Sequence, residues 1–427
     1  MKSKTERIQR AAVPRASLAI DNLRAIVILL VLAFHSVLAY LNFLPPQPFA
    51  FDQPPFLWRA FPIVDSQRWM GFDLFCAWLD VFLMSFFFLV SGLFVWPSLN
   101  RKGAWTFLSD RLLRIGVPFL LVAFLLMPVA HYPTYLQTAT DPSIAAYWQH
   151  WLALPFWPCG PMWFLWLLLL WDIAAAGLYP LLARHRETVL RLSTYARQNP
   201  ARFLAGFVLV SAIAYVPLAL IFGPSAWFHR GPFSFQLSRP LHYVLYFFAG
   251  AAIGACGIER GLLGANGSLA RHWAGWLAAA FASFVLWLLV MSQIVADPGA
   301  APILWQITAA LSFVLACFAS CFLTLGASVR FAQFRTRLCD SLKDNAYGMY
   351  LIHYLFIVWL QFAMLATGLP AILKAIIVFA GTLALSWGAT AGLRQVSAVS
   401  QIIGEGRRAA VASSPARRSR EMPSLSD

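Results

Sequence analysis

Runs of about 20 consecutive apolar residues recur along this chain, and they limit its fold more than any other feature. A helix rises about 1.5 Å per residue, so about 20 residues cross the roughly 30 Å hydrocarbon core of a bilayer with every peptide group bonded internally. Ten such runs can be read, over 18–41, 72–96, 112–130, 161–183, 203–222, 240–257, 274–295, 303–326, 346–366 and 371–393. Only 11% of the 427 residues are charged and 60% are hydrophobic, whereas about a quarter are charged in a soluble domain. The short alternating segments of a membrane β-barrel are absent. The expected fold class is all-α, a polytopic transmembrane helix bundle of about ten spans occupying 18–393. A basic tail, 1–17, precedes it and a tail over 394–427 follows; from Gly404 the latter is rich in Ala, Ser and Arg, lacks periodicity and is expected to have no regular structure.

The formal net charge of +15 invites a nucleic-acid reading until the 32 Lys and Arg residues are placed. Of these, 26 fall in the tails and in alternate connections. Arg59, Arg68, Arg230 and Arg239 fall in the intervening connections, and Arg24 and Lys374 lie within runs. The positive-inside rule accounts for that split, puts both termini in the cytoplasm, and removes nucleic acid from the expected partners while leaving membrane lipid. The run from Leu18 to Tyr40 is too long for a signal-peptide core and lacks a small-residue cleavage site. The six cysteines form no CxxC pair and no metal spacing. Cys317 and Cys321 read as core thiols, while Cys76 and Cys159 fall near the outer surface, where pairing is an option that spacing alone does not decide. Neither a disulfide nor a metal is assigned.

An ionisable residue inside a span costs at least about 2.5 kcal/mol at the bilayer centre, so it carries information. The first run holds Asp21, Arg24 and His35. Arg24 and His35 are eleven positions apart, which separates them by about 20° in azimuth and about 16 Å along the axis. They share one face at two depths, Arg24 near the cytoplasmic surface and His35 in the outer half. Arginine holds phosphates and a shielded neutral imidazole takes a proton from a hydroxyl, so the pair suits chemistry between an anionic donor on one side and an acceptor on the other. The plainer reading has Arg24 snorkelling and paired with Asp21, with His35 joining two helices through a hydrogen bond.

Further polar segments follow in order. Phe86-Phe87-Phe88-Leu89-Val90 leads into Ser91-Gly92, Arg111-Leu112-Leu113-Arg114 leads to Pro118, and Tyr347-Gly348-Met349-Tyr350-Leu351-Ile352-His353 lies near the C-terminal end. With Arg24 and His35 ahead of them, these segments make the chain resemble the acyltransferase 3 family of membrane-bound O-acyltransfer proteins over residues 18–393. One departure stands out: many relatives carry an Asp six residues before the Ser-Gly serine, where this chain has Ser85, and its own acids in that span are Asp80 and Asp73. The stretch Arg114-Ile115-Gly116-Val117-Pro118 is similar to the branch related to periplasmic glucan succinyltransferases.

The resemblance implies an enzyme of the bacterial inner membrane that moves an acyl group, of acetyl or succinyl type, from cytoplasmic acyl-CoA to a hydroxyl of an extracytoplasmic carbohydrate or glycan. His35 is then the general base, because imidazole has a pKa of about 7. Asp80, expected at a comparable depth, would accept its second N–H, the alternative being a structural or pore-facing acid. Arg24, Arg111 and Arg114 would hold the phosphates of CoA, although for the last two the positive-inside rule is itself sufficient. His353, expected two helical turns into its span and level with Arg24, would touch the donor or brace the bundle. Of Trp148, Trp151, Trp157, Trp163 and Trp166, which crowd the entrance to the fourth span, Trp163 is taken as a sugar platform, against an ordinary interfacial belt. Asp172 has no partner legible in the sequence. The rival class is a transporter or permease for an anionic metabolite or glycolipid, which would need discontinuous helices in matching halves; no clear repeat appears.

Overall fold

The computed structural model describes residues 15–184, 195, 198–255, 257, 263, 264, 267–296 and 301–403. The expected tails over 1–14 and 404–427 lie outside the described residues, and the part of the C-terminal tail that is described contains a short helix, Ser397–Ile403. Ten apolar helices carry the fold: α1 Arg15–Val37, α2 Met70–Gly92, α3 Ala104–Leu136, α4 Trp163–Arg184, α5 Pro200–Phe222, α6 Pro240–Ala255, α7 Trp273–Ala296, α8 Ile303–Phe331, α9 Arg337–Leu365 and α10 Ala371–Leu393. Nine are long and apolar enough to cross a membrane, and α6 with its 16 residues is not. The chain is thus the expected all-α polytopic bundle, and of the ten apolar runs the one read over 240–257 forms a helix shorter than a full span.

The reason lies in what precedes it. A two-stranded antiparallel hairpin, β1 Trp227–Arg230 and β2 Phe233–Gln236, packs against the bundle through the buried Ser234 and Gln236 of β2, leaves most of β1 exposed, and delivers Arg239 beside Asp80, half-way along α2. Helix α6 thus begins part-way down α2 and needs to cover only the remainder. Two of the hairpin's carbonyls find donors on neighbouring elements: Trp166 Nε1 donates to Ser234 O at 3.1 Å, and Trp157 N donates to Gly231 O at 2.9 Å. From there α6 lies hard against α2. A Cβ at Gly250 would overlap the Leu89 carbonyl oxygen, one at Gly254 the Leu93 oxygen, and one at Gly92 the Phe247 oxygen. Gly250 and Gly254 are four residues apart on one face, the small-residue spacing that lets membrane helices approach backbone to backbone.

Helix α3 begins eight residues before the apolar run expected at 112–130 and contains two π-helical turns, Leu112–Gly116 and Val122–Leu126. Its prolines leave carbonyls without their usual N–H partners. Pro118 returns no bond to the carbonyl four residues back, and the Tyr347 hydroxyl donates to that oxygen, Arg114 O. Pro133 likewise leaves Val129 O to Trp359 Nε1, at 3.0 Å. After the second π turn the partner of Ala123 O would be Pro128, and Trp157 Nε1 donates to it instead, at 2.8 Å. Aromatic donors on other elements thus tie α3 to its neighbours at the points where it lacks its own bonds.

Burial orders the layers. The apolar windows of α1 and α8 are 61% and 67% buried, against 11% in α5 and α7, so α1 and α8 form the centre and α5 and α7 the rim. At one face of the bundle Asn22 Nδ2 donates to Ala332 O and Phe334 O, at 2.8 and 2.6 Å, and Arg394 beyond α10 donates to Asp344 O at 3.0 Å. At the opposite face Lys374 at the start of α10 pairs with Asp65 in the connection after α1, at 2.7 Å, both side chains 1% exposed.

Candidate active site

Two polar poles lie along α1. At the Arg24 end, Arg24, Arg101, Lys102, Arg111 and Arg114 converge on a cavity of about 380 Å³ walled also by Phe94 and Phe107. The guanidinium of Arg24 sits 5.0 Å over the Phe94 ring, and that of Arg111 sits 4.9 Å over Phe107. Stacking holds the planar groups by their faces and leaves N–H edges for a ligand. Of the five cations, Lys102 is paired with Asp110, and Arg111 Nε lies 3.3 Å from Asp172. Arg24, Arg101 and Arg114 have no acid partner among the described residues, so the cavity keeps a positive surplus suited to phosphates. The expected gathering of Arg24, Arg111 and Arg114 is what the structure has, and Asp172 gains the partner that was not legible in the sequence.

At the other pole, three imidazoles surround one phenol. The His35 ring centroid is 5.1 Å from that of His353 and 5.7 Å from Tyr354, and His131 lies 5.6 Å from Tyr354 on another side. His35 Nδ1 is 2.9 Å from Val31 O, and His353 Nδ1 is 2.6 Å from Tyr350 O. A carbonyl only accepts, so in both rings Nδ1 carries the hydrogen and Nε2 keeps the lone pair. The backbone of each helix thereby fixes its own histidine as a neutral base. His353 Nε2 is buried with no partner among the described residues, and so are both nitrogens of His131. Gln361, about two turns beyond Tyr354 on α9, donates to His35 O at 2.9 Å and locks α9 to the end of α1.

Two expected arrangements are corrected. Asp80 does not meet His35: its carboxylate receives Arg239 Nη1 and Nη2 at 3.1 and 2.6 Å, a two-pronged ion pair, and Arg239 Nη1 also reaches the Asp80 carbonyl at 2.9 Å. The residue of α2 level with Phe34 is Cys76, whose thiol faces Phe34 O at 4.0 Å, and Asp80 is one turn further along α2. His353 is not level with Arg24 either. Helix α9 starts at Arg337, nine residues before the apolar run, so the histidine stands at mid-helix beside His35. The segment Lys343-Asp344-Asn345 is polar enough to end an apolar run without ending a helix.

Trp163 lies 5.5 Å from Trp227 and 6.0 Å from Tyr243, ring to ring, and is half-buried. Trp151 is fully buried, while Trp157 and Trp166 spend their N–H groups on backbone carbonyls. Cys76 and Cys159 are both free and buried, Cys159 lying 3.3 Å from Ser234 Oγ. Among the described residues no group of three or more His, Cys, Asp or Glu side chains is placed to hold a metal. Sequence reasoning missed His131 and Tyr354; the one available signal was Tyr354 following His353 directly.

A family profile described as an acyltransferase domain matches residues 17–391. Curated proteins named glucans biosynthesis protein C, from Salmonella paratyphi B, Salmonella agona and Salmonella enteritidis, are each 24% identical to the chain over 241 residues, which cover 54% of it and 56% of the relative. The chain thus aligns with little more than half the length of these relatives. No solved structure matches the chain.

Proposed function

Because the chain belongs to the acyltransferase 3 family and is an integral, multi-pass membrane acyltransferase, we propose that it draws an acyl group, of acetyl or succinyl type, from cytoplasmic acyl-CoA and transfers it to a hydroxyl of an extracytoplasmic carbohydrate or glycan, at the bacterial inner membrane. The observation that carries this reading is the pair of poles on α1. Coenzyme A has its phosphates at one end of a long pantetheine arm and its thioester at the other. An enzyme that grips the first and reacts at the second needs an anion site and a base set apart along one path. The basic cavity around Arg24 and the lone pair of His35 Nε2, about 16 Å further along the same helix, fit those demands.

In this mechanism the acceptor oxygen attacks the thioester carbon while His35 Nε2 takes the hydroxyl proton. The tetrahedral intermediate collapses with loss of the CoA sulfur, which receives that proton from the imidazolium. Val31 O, holding Nδ1–H, keeps the ring in the productive tautomer throughout, the part a carboxylate plays elsewhere. His353, its ring 5.1 Å from that of His35, carries an Nε2 with no partner among the described residues.

The deciding experiment is release of free CoA thiol by detergent-purified protein given acetyl-CoA or succinyl-CoA with a cell-envelope glycan extract, wild type against His35→Ala. Turnover that requires His35 is the expected result. A folded wild-type protein that neither releases thiol nor binds either acyl-CoA overturns the reading and favours a transporter.

A further inference from the structure

On the face of the bundle where α1 ends, an arginine stands without an acid. The Arg59 guanidinium lies 4.3 Å over the Phe156 ring, and its Nε donates to Phe56 O at 3.1 Å. Among the described residues no carboxylate is within ion-pair distance of it: Asp52 is taken by His150 at 3.3 Å and Asp65 by Lys374 at 2.7 Å. Phe56 itself sits in the left-handed region, φ 53°, ψ 40°, a conformation that costs a non-glycine residue about 1–2 kcal/mol and persists where the surroundings enforce it. The strained turn carries the residue that receives Arg59 Nε–H and so aims the free Nη edge of the fork.

The hairpin supplies a second donor. His229 lies 5.7 Å from the same Phe156 ring and stacks on Trp227 at 6.1 Å and 14°, and its Nε2 is buried with no partner among the described residues. Burial, helped by the Arg59 charge, lowers its pKa to about 4, so at neutral pH it offers a hydrogen bond without adding charge. Arg59 remains protonated although burial lowers its pKa to about 10. From Arg59 a short path of rings leads inward: its neighbour Trp58 is 5.3 Å from His131, which is 5.6 Å from Tyr354, which is 5.7 Å from His35.

We propose that Arg59 and His229, flanking Phe156, form a carboxylate-binding subsite on the acceptor side of the His35 cluster. A planar carboxylate satisfies the two-pronged edge of the guanidinium and the imidazole N–H together, with the Phe156 and Trp227 faces covering its carbon skeleton. The chemistry is that of a carboxylate on either reactant: the far end of a dicarboxylic acyl group, or an acidic sugar of the acceptor. That this carboxylate belongs to a reactant rests on the acyl-transfer reading; the subsite does not.

The test is thermal stabilisation of the full-length detergent-purified protein by succinate against its neutral isostere succinamide, and by glucuronate against glucose. At least one carboxylate is expected to raise Tm where its neutral counterpart does not; a succinate effect marks the acyl source and a glucuronate effect the sugar source. Arg59→Gln is expected to abolish the shift and Arg59→Lys to retain part of it. Should Arg59→Gln not fold, His229→Phe keeps the stacked ring and removes the donor, and is expected to weaken the apparent affinity several-fold. Equal shifts for charged and neutral probes, or a shift that survives Arg59→Gln, or one unchanged by His229→Phe, overturn the subsite. Carboxylate binding by a protein that neither releases thiol nor binds either acyl-CoA would leave the subsite standing while sinking the acyl-transfer reading, and turnover without carboxylate binding would do the reverse.

Discussion

Nδ1 of His35 and of His353 is in each case tied to a carbonyl of its own helix and the two rings lie 5.1 Å apart, yet their proposed duties differ. As the base, His35 replaced by Ala is expected to lose about 10²- to 10⁴-fold in kcat, read as thiol release, with acyl-CoA binding retained. His353→Gln is expected to lower kcat by a smaller factor and leave the KM for acyl-CoA unchanged, since the ring is remote from the basic cavity; a raised KM with unchanged kcat would return His353 to the donor end. Arg24→Gln is the mirror case. Losing a charge-assisted contact worth about 1.5–3 kcal/mol should raise the KM for acyl-CoA about tenfold or more, with little change in kcat, and the difference from wild type should shrink at high salt. At this scale the sequence was informative where spacing within one helix set the geometry, as for Arg24 and His35. It was uninformative for Asp80, whose partner Arg239 is 159 positions away and is delivered by a hairpin with no apolar periodicity to announce it.

Helices pack here by glycine contact and by borrowed hydrogen bonds, and each device has its own signature on mutation. Gly250→Leu forces a side chain onto the Leu89 carbonyl, so α6 must separate from α2, and the expected outcome is loss of folded monodisperse protein by size-exclusion chromatography. Even Gly250→Ala should cost about 1–3 kcal/mol, because backbone rather than a flexible side chain has to give. Tyr347→Phe removes one oxygen and strands Arg114 O beside Pro118; a cost of about 1–3 kcal/mol is expected, seen as a lower Tm, and no change in Tm would mean that α3 satisfies this carbonyl by other means. Apolar run length foretold the helices but not their ends, since α9 and α3 extend through polar turns that no hydropathy window includes. The coupling of Tyr347 to the carbonyl freed by Pro118 also gives two of the family-like segments a shared structural duty apart from any role in binding CoA.

For the molecule as a whole, the contacts at its two faces decide how often the chain crosses. The start of α1 meets the connection between α8 and α9, and the residue after α10 meets the first turns of α9, so both ends of the bundle lie on one face. We propose that the number of passages between them is even, with α6 and its hairpin together serving as one despite the helix having only 16 residues. Reporter fusions ahead of α1 and after Ile403 are therefore expected on the same side, the cytoplasm by the charge bias; opposite sides would break this topology. The opposite face is closed by Lys374 and Asp65, a pair 1% exposed on both sides, with Asp65 Oδ1 also accepting Gln67 N at 2.8 Å. Removing one member of such a pair leaves an unmatched charge in the interior at about 3–5 kcal/mol, whereas replacing both by apolar residues of similar size can be neutral. Lys374→Met is thus expected to lower Tm steeply, and adding Asp65→Leu to recover most of the loss. The recovery is the informative half: a double variant as unstable as the single would mean that the ion pair itself, and not merely charge balance, fastens the start of α10 to the end of α1 and so holds the His35 pole closed.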